Sequence, residues 1–277
     1  LKGKPAVAVS RETTYLVMSA AAARDTSGNA VVAINDGLAR QVTTFVADAT
    51  RPALASFVLD LNAGRLLLTF TESINASSVT PAGLTLQNTR NGSLATEALT
   101  LTGGAVLGTA NTPVITLVLS SADLQSLQAL RQLGTAVSNT YLAVDQAAAL
   151  DMAGLQVQAV ATSTAVQASA VVADTTRPTL RQFDLSLNHP TNQVLLRLEF
   201  SEVVDAGSFN VTDIVLQNHA SAPTSSLRLT GGNVSGADAA VVTVLLSAAD
   251  ADALKADLTL ATPTVLQTFD SNGVLQS

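Results

Sequence analysis

The feature that most constrains the fold of this chain is an internal repeat with a spacing of 126 residues, seen as Asp48 against Asp174. Nine of the fifteen residues from Asp48 to Asn62 recur, in order, from Asp174 to Asn188. Three later blocks also repeat, after an insertion of four residues in the second copy. They are Leu66–Glu72 with Leu196–Glu202, Leu84–Asn88 with Ile214–Asn218, and Leu101–Gly104 with Leu229–Gly232. A repeat of this length predicts one structural module that the chain uses more than once.

The opening residues match the last third of the repeat. Tyr15-Leu16 aligns with Tyr141-Leu142, and Val46-Ala-Asp48 aligns with Val172-Ala-Asp174. We therefore expect residues 1–47 to be the last third of a module, residues 48–173 a complete module, and residues 174–277 a module without its final strand. That final strand is predicted over Val160–Val172 of the complete module. Its counterpart in the opening segment is predicted over Gln41–Ala47.

Each module is predicted to consist of short strands and one helix. Phe57, Leu59 and Leu61 alternate with other residues, and a period of two is typical of strands with one buried face. Ser120 and Ser247 each precede an aspartate by three residues at the start of a helical pattern, which resembles a capping box. The spacing of these stretches predicts an all-β sandwich with one short helix in each module.

Composition excludes several classes of function. The net charge is −7, and the 14 basic residues form no cluster with aromatic ones, which argues against a nucleic-acid partner. The absence of cysteine removes disulfides, thiolate metal ligands and a cysteine nucleophile. No run of about 18 apolar residues is present, so no membrane span is expected. The chain starts at Leu1 without a signal-peptide pattern, and we expect a processed product or a piece of a longer protein.

The repeated residues carry a resemblance to a known type of module. Two repeated patterns, Asp-x-Thr-x-Pro-x-Leu-x-x-Phe-x-Leu-x-Leu-Asn and Leu-x-Phe-x-Glu, occur together with Asp-x-x-Gly-Asn at Asp25–Asn29. This combination resembles the immunoglobulin-like repeats of algal and protist surface or fibril proteins, bacterial adhesins and S-layer-type proteins. The resemblance implies tandem immunoglobulin-like β-sandwich modules, an extracellular or cell-surface location and a structural or adhesive role. It implies no single activity, because such folds host many functions.

No pattern in the chain predicts catalysis. His189 and His219 fall in loop-like segments without counterparts in the complete module, so we interpret them as solvent-exposed loop residues. Glu72 and Glu202 recur after an apolar strand, and paired carboxylates can act as acid and base. A structural role at a strand end fits them better, because repeated modules rarely each carry an active site. We predict that the protein is not an enzyme.

Calcium is the one cofactor that the repeat leaves open. The candidate ligands recur near the module boundaries, where carboxylates of adjacent modules could share an ion. They are Asp48, Glu72, Asp174 and Glu202. The competing interpretation is plain hydrogen bonding in the linkers, since the chain has neither an Asp-x-Asp-x-Asp run nor an EF-hand loop.

Four N-glycosylation sequons are present, at Asn75, Asn91, Asn210 and Asn233. Their loop-like settings favour exposure and covalent glycans, provided that the protein is secreted by a eukaryote. Chance occurrence is the competing interpretation, because serine and threonine are abundant and the four sites do not align between repeats.

The incomplete ends of the repeat predict how copies associate. A sandwich without its final strand exposes an apolar cleft and unpaired backbone, and residues 1–47 carry such a strand. We therefore expect residues 1–47 of one copy to complete the last module of the next, as subunits of a head-to-tail filament. Two alternatives stay open: the chain is a cut from a longer continuous array, or it is a segment of a cell-surface adhesin.

Overall fold

The computed structural model describes residues 9–188 and 193–260. The chain is mostly β-sheet, as the alternating pattern predicted, with two short α-helices. It divides into two compact units, Leu1–Thr175 and Thr176–Ser277, and each is described by itself. Neither helix, at nine residues, has the length or hydrophobicity needed to cross a membrane.

Residues 9–175 of the first unit contain eleven strands and one α-helix. In chain order they are β1 Tyr15–Leu16, β2 Arg40–Gln41, β3 Leu54–Asp60, β4 Arg65–Phe70, β5 Leu84–Gln87, β6 Ala98–Thr100, β7 Gly104–Val106, β8 Val114–Leu119, α1 Ser121–Ala129, β9 Tyr141–Val144, β10 Val166–Gln167 and β11 Ala170–Val172. Strands β3 to β11 form two sheets, with the orders β11-β3-β4-β8-β7 and β10-β9-β5-β6, and β1 pairs with β2 separately.

The two larger sheets enclose one apolar core. Phe57, Leu66 and Leu117 of the five-stranded sheet are almost fully buried, as are Leu86 and Leu142 of the four-stranded sheet. The alternation that predicted the strands therefore also identifies the residues that face the core.

The last third of the repeat closes both sheets. Strand β10 pairs with β9 antiparallel, and β11 pairs with β3 parallel. The single final strand predicted over Val160–Val172 is therefore wrong: two short strands form instead, and they belong to different sheets. The crossing lies at Ser169, whose backbone N–H and hydroxyl both donate to the carbonyl of Phe57, each at 2.8 Å.

The second unit repeats the early part of this arrangement. Its elements are β12 Leu180–Ser186, β13 Leu195–Val204, β14 Val215–Gln217, β15 Ser226–Arg228, β16 Gly232–Ser235, β17 Ala239–Leu246 and α2 Ala248–Ala256. They form a sheet of order β12-β13-β17-β16 and a pair β14-β15, which correspond to β3-β4-β8-β7 and β5-β6. The predicted helix is thus present in both units.

The aspartate near the start of each helix binds a loop rather than closing a capping box. Ser120 accepts from the backbone N–H of Asp123 at 3.1 Å, as a cap does. The buried carboxylate of Asp123, however, accepts from the N–H and hydroxyl of Thr102 and from the N–H of Gly103, at 2.8–3.0 Å. Asp250 makes the same bonds to Thr230 and Gly231. The repeated Leu-Thr-Gly-Gly and Ser-x-x-Asp motifs are therefore two halves of one contact.

The second glycine of the loop motif has a steric reason. A Cβ on Gly104 would lie 2.5 Å from the carbonyl oxygen of Val118, and one on Gly232 would lie 2.7 Å from that of Leu245. Gly104 also has φ +136°, which side-chain-bearing residues rarely adopt. Only glycine lets β7 and β16 pair this closely with β8 and β17.

We expect Asp123→Asn to lower the free energy of unfolding by about 2 kcal/mol, because a buried carboxylate that accepts several hydrogen bonds becomes a neutral amide. Urea denaturation of the purified variant measures the loss. Asp145→Asn is the matched control, since exposed Asp145 uses one oxygen to accept from Ala147 N–H at 2.8 Å and asparagine keeps that bond. Equal effects of the two substitutions would contradict the assigned role.

Acid should weaken the same contact. Burial raises the pKa of the Asp123 carboxyl, but the hydrogen bonds from Thr102 and Gly103 outweigh burial and hold the pKa below its ordinary value of 3.8. The pKa of Asp250 is lowered in the same way by Thr230 and Gly231. A depressed folded-state pKa contributes stability that is complete above pH 3.8 and is lost as the pH falls through the folded value. The double variant Asp123→Asn/Asp250→Asn should therefore lose less stability than the unmodified chain when the pH is lowered from 5 to about 3. Urea denaturation at each pH measures the free energy of unfolding of both proteins.

Candidate functional site

Residues 9–47 already have the backbone pairing of the last third of a module. Tyr15 pairs with Gln41 and Leu16 with Arg40, while Tyr141 pairs with Gln167 and Leu142 with Val166. All four residues of the first set lie 126 positions before those of the second. Two isolated bridges recur at the same offset: Met18–Ile34 with Val144–Val160, and Arg24–Ala30 with Leu150–Gln156.

The turn inside this segment is also the same. One oxygen of Asp25 accepts from the N–H groups of Ser27 and Asn29, at 2.9 and 2.8 Å. One oxygen of Asp151 accepts from Ala153 and Leu155, at 2.8 and 2.7 Å. Residues 9–47, hereafter the donor segment, thus fold locally without the rest of a module.

The apolar side chains of the donor segment have the opposite exposure to their counterparts. Leu16 is 58% exposed, whereas Leu142 is fully buried. Val31 is partly exposed, whereas Val157 is fully buried. Within the described chain, the backbone hydrogen bonds of residues 9–47 that lie outside their strand pair stay inside the segment. The segment therefore exposes apolar residues whose counterparts are buried in the core of the complete module.

The predicted strand over Gln41–Ala47 is wrong, because only Arg40–Gln41 forms a strand in this part of the chain. The reason is that no strand of the described chain pairs with residues 43–47. In the complete module the aligned β11 is extended because β3 pairs with it, from Ala170–Val58 to Val172–Asp60.

The second unit has the complementary defect. Strand β5 of the first unit pairs with β6 on one side and β9 on the other. Its counterpart β14 pairs with β15 alone among residues 176–188 and 193–260. Strand β3 of the first unit has β11 along one edge. Among the same described residues of the second unit, the corresponding edge of β12 has no neighbouring strand.

An open apolar cleft of about 560 Å³ lies between these two edges, hereafter the acceptor cleft. Phe183 in the cleft is 54% exposed, whereas its counterpart Phe57 is 1% exposed. Leu180 is 49% exposed against 8% for Leu54. The other apolar lining residues include Leu185, Leu196, Leu216 and Leu254. The cleft therefore exposes the part of the core that a last third would cover.

Gln87 and its counterpart Gln217 show the same difference in burial. The Nε2 of Gln87 donates to the carbonyls of Thr89, Arg90 and Thr162 at 2.7–3.1 Å, and Thr162 belongs to the last third. Gln87 is 1% exposed, but its counterpart Gln217 is exposed and lines the acceptor cleft. The repeated Leu-Gln-Asn was visible in the sequence, but its role as a contact to the last third was not.

Two of the four calcium candidates come together in the structure, with a third residue that sequence reasoning missed. One carboxylate oxygen from each of Asp48, Glu72 and Asp151 lies within 4.8 Å of the others. The missed residue is Asp151, which begins an Asp-x-x-Gly turn. This turn aligns with Asp25–Gly28, and the alignment was the sequence signal that could have identified Asp151. Asp174 accepts a hydrogen bond from Gln128 at 2.6 Å in the first unit, and Glu202 lies on β13 of the second.

Three of the four sequons have a structural use for the asparagine. The side-chain oxygen of Asn75, Asn91 and Asn210 accepts from the N–H and hydroxyl of the serine or threonine two positions later, and each caps a short 3₁₀ turn. Asn233 lies exposed on β16. The Asn-x-Ser/Thr pattern is thus explained at three sites by capping, and glycosylation stays a prediction.

Of the two histidines, only His219 lies within the described residues. His219 is exposed at the rim of the acceptor cleft. His189 lies outside the described residues.

No protein-family model matches the chain, and no curated protein matches it either. The candidate site is therefore defined by the repeat and by the exposure of its parts.

Truncation of aligned leucines in the donor segment and in the complete module should lower the free energy of unfolding by very different amounts. We expect Leu142→Ala to lower the unfolding free energy by about 3 kcal/mol, because it opens a cavity in the core. Leu16→Ala should change it by less than about 0.5 kcal/mol in dilute solution, since Leu16 is exposed. Urea denaturation at low protein concentration tests both, and similar losses would show that Leu16 is buried in the monomer.

Proposed function

We propose that this protein is an extracellular structural protein of immunoglobulin-like β-sandwich modules that assembles head to tail. Residues 1–47 of one copy complete the last module of the next, through the donor segment and the acceptor cleft. The observation that carries the proposal is the identical backbone pairing of residues 9–47 and of the last third of the complete module, combined with opposite exposure of their apolar faces.

The complete module serves as the template for the docked state. By analogy with β9 on β5 and β11 on β3, Tyr15–Met18 would pair with β14, and Thr44–Val46 would pair with β12 in parallel. Strand addition of this kind satisfies the unpaired backbone of a sheet edge and places alternate side chains in the core. Leu16 would then occupy the position that Leu142 has in the complete module.

The apolar surface that docking would bury favours association. Burying an aliphatic side chain contributes about 1.5–3 kcal/mol, and Leu16, Val31 and Val42 align with three buried residues of the complete module. Exposed Phe183 and Leu180 add further apolar area on the acceptor side. Association costs at least about 4 kcal/mol of lost freedom, and the preformed pairing of the donor segment reduces the additional cost of ordering it.

The contact is heterologous, because the donor segment and the acceptor cleft are different surfaces. Each copy that docks leaves one donor and one acceptor unused at the ends of the complex. Such contacts build a filament unless the geometry closes a ring.

A charged residue in the donor face tests the contact without harming the monomer. We expect Leu16→Arg to abolish oligomers, because the aligned position in a module is fully buried. Leu38→Arg is the matched control, since Leu38 is 76% exposed and aligns with the exposed Thr164, so oligomers should persist. Light scattering with size-exclusion chromatography and electron microscopy measure the assembly; a chain that stays monomeric at high concentration would overturn the proposal.

Mixing two defective variants tests the head-to-tail polarity. Leu16→Arg removes the donor and keeps the acceptor, while Phe183→Arg removes the acceptor and keeps the donor. Each variant alone should be monomeric, and an equimolar mixture should stop at a dimer with one copy of each. Loss of oligomers in the mixture as well, or growth of either variant alone into filaments, would contradict the assignment of the two surfaces.

A further inference from the structure

Three carboxylates meet where the start of the complete module contacts its last third. Asp48 precedes β3, Glu72 follows β4, and Asp151 lies in the turn between β9 and β10, yet one oxygen of each lies within 4.8 Å of the other two. Three negative charges at this separation repel one another. A carboxylate in such a group is stable only when hydrogen bonds or positive charge compensate for this repulsion.

Asp151 is the residue that points to a ligand. It is 3% exposed, and its Oδ1 is satisfied by the N–H groups of Ala153 and Leu155. Its Oδ2 is buried and has no hydrogen-bond partner. Buried polar atoms are rarely left in this state, because the loss of hydration is not repaid.

One simpler way to stabilise this carboxylate fits the geometry less well. A guanidinium from Arg51 could neutralise the charge, but its Nε and Nη2 donate to the carbonyls of Gln156 and Val157, each at 2.9 Å.

We propose that Asp48, Glu72 and Asp151 bind a calcium ion in the complete module. Carboxylate oxygens bind Ca²⁺ in proteins, together with carbonyl and water oxygens, at about 2.3–2.6 Å, so two oxygens on one ion can lie up to about 5 Å apart. The spacing of this group is within that limit. Mg²⁺ usually keeps several waters and uses one or two carboxylates, so a set of three favours Ca²⁺.

The ion would join three parts of the chain that are far apart in sequence. It would attach the last third of the module, through Asp151, to the segments on either side of β3 and β4. A ligand that binds only the folded state raises its stability, so calcium would strengthen the closure of the module. This inference does not depend on assembly between copies.

The test compares thermal unfolding of the full chain in Ca²⁺ and in EDTA. Unmodified protein should gain roughly 5–10 °C in Tm at a Ca²⁺ concentration of 100 times Kd. Asp151→Asn keeps the Oδ1 acceptor of the turn and removes one ligand charge, so it should abolish this gain. In EDTA the same variant should be at least as stable as the unmodified protein, because the repulsion among the carboxylates is reduced.

Asp145→Asn is the control, because it changes an exposed aspartate of the same module and should keep the full Ca²⁺ effect. Isothermal titration with Ca²⁺, and separately with Mg²⁺, should give a binding isotherm that Asp151→Asn removes and Asp145→Asn retains. Absence of Ca²⁺ binding to the unmodified chain would overturn the proposal. So would a loss of stability of Asp151→Asn in EDTA with an unchanged Ca²⁺ effect, since that pattern belongs to a residue with only a structural role.

Discussion

A sheet edge must be paired or covered, and this requirement organises the whole molecule. In the complete module both sheets end in a strand from the last third of the repeat: β10 on β9 in one sheet, and β11 on β3 in the other. The same stretch of chain also brings Leu142 and Val157 into the core. One segment therefore closes both sheet edges of the unit and contributes to its apolar packing.

The chain carries this segment twice, and within the described residues the copy in the complete module is the one that covers a core. Residues 9–47 repeat the backbone pairing of the last third without a core to cover, and the second unit exposes core residues around Phe183 among its described residues. A segment that forms its turns and bridges by local hydrogen bonds can exist before it docks. This property makes exchange between copies physically reasonable, since only side-chain burial and edge pairing need to be gained.

Buried polar contacts also hold parts of each unit together. Asp123 and Asp250 hold the glycine-containing loops, and Gln87 holds the last third through Thr162. Asp151 forms the turn of that last third and approaches Asp48 and Glu72. Asp25 forms the same turn in the donor segment, so the chemistry of that position is retained there as well.

The sequence by itself determined the repeat, the alternating strands, the two helices and their serine caps, because these depend on local periodicity and on neighbouring residues. It also located the glycines of the tight loops and two of the clustered carboxylates. Only the tertiary structure decided that the final strand divides between two sheets, that the helix aspartates bind a loop about 20 residues away, and that Asp151 joins Asp48 and Glu72. Those features depend on which distant segments share an edge, and repeated local sequences can be buried or exposed according to the partner they find. Leu16 and Leu142 lie in equivalent local structure. Leu142 is buried because a core lies beneath it, whereas Leu16 is exposed.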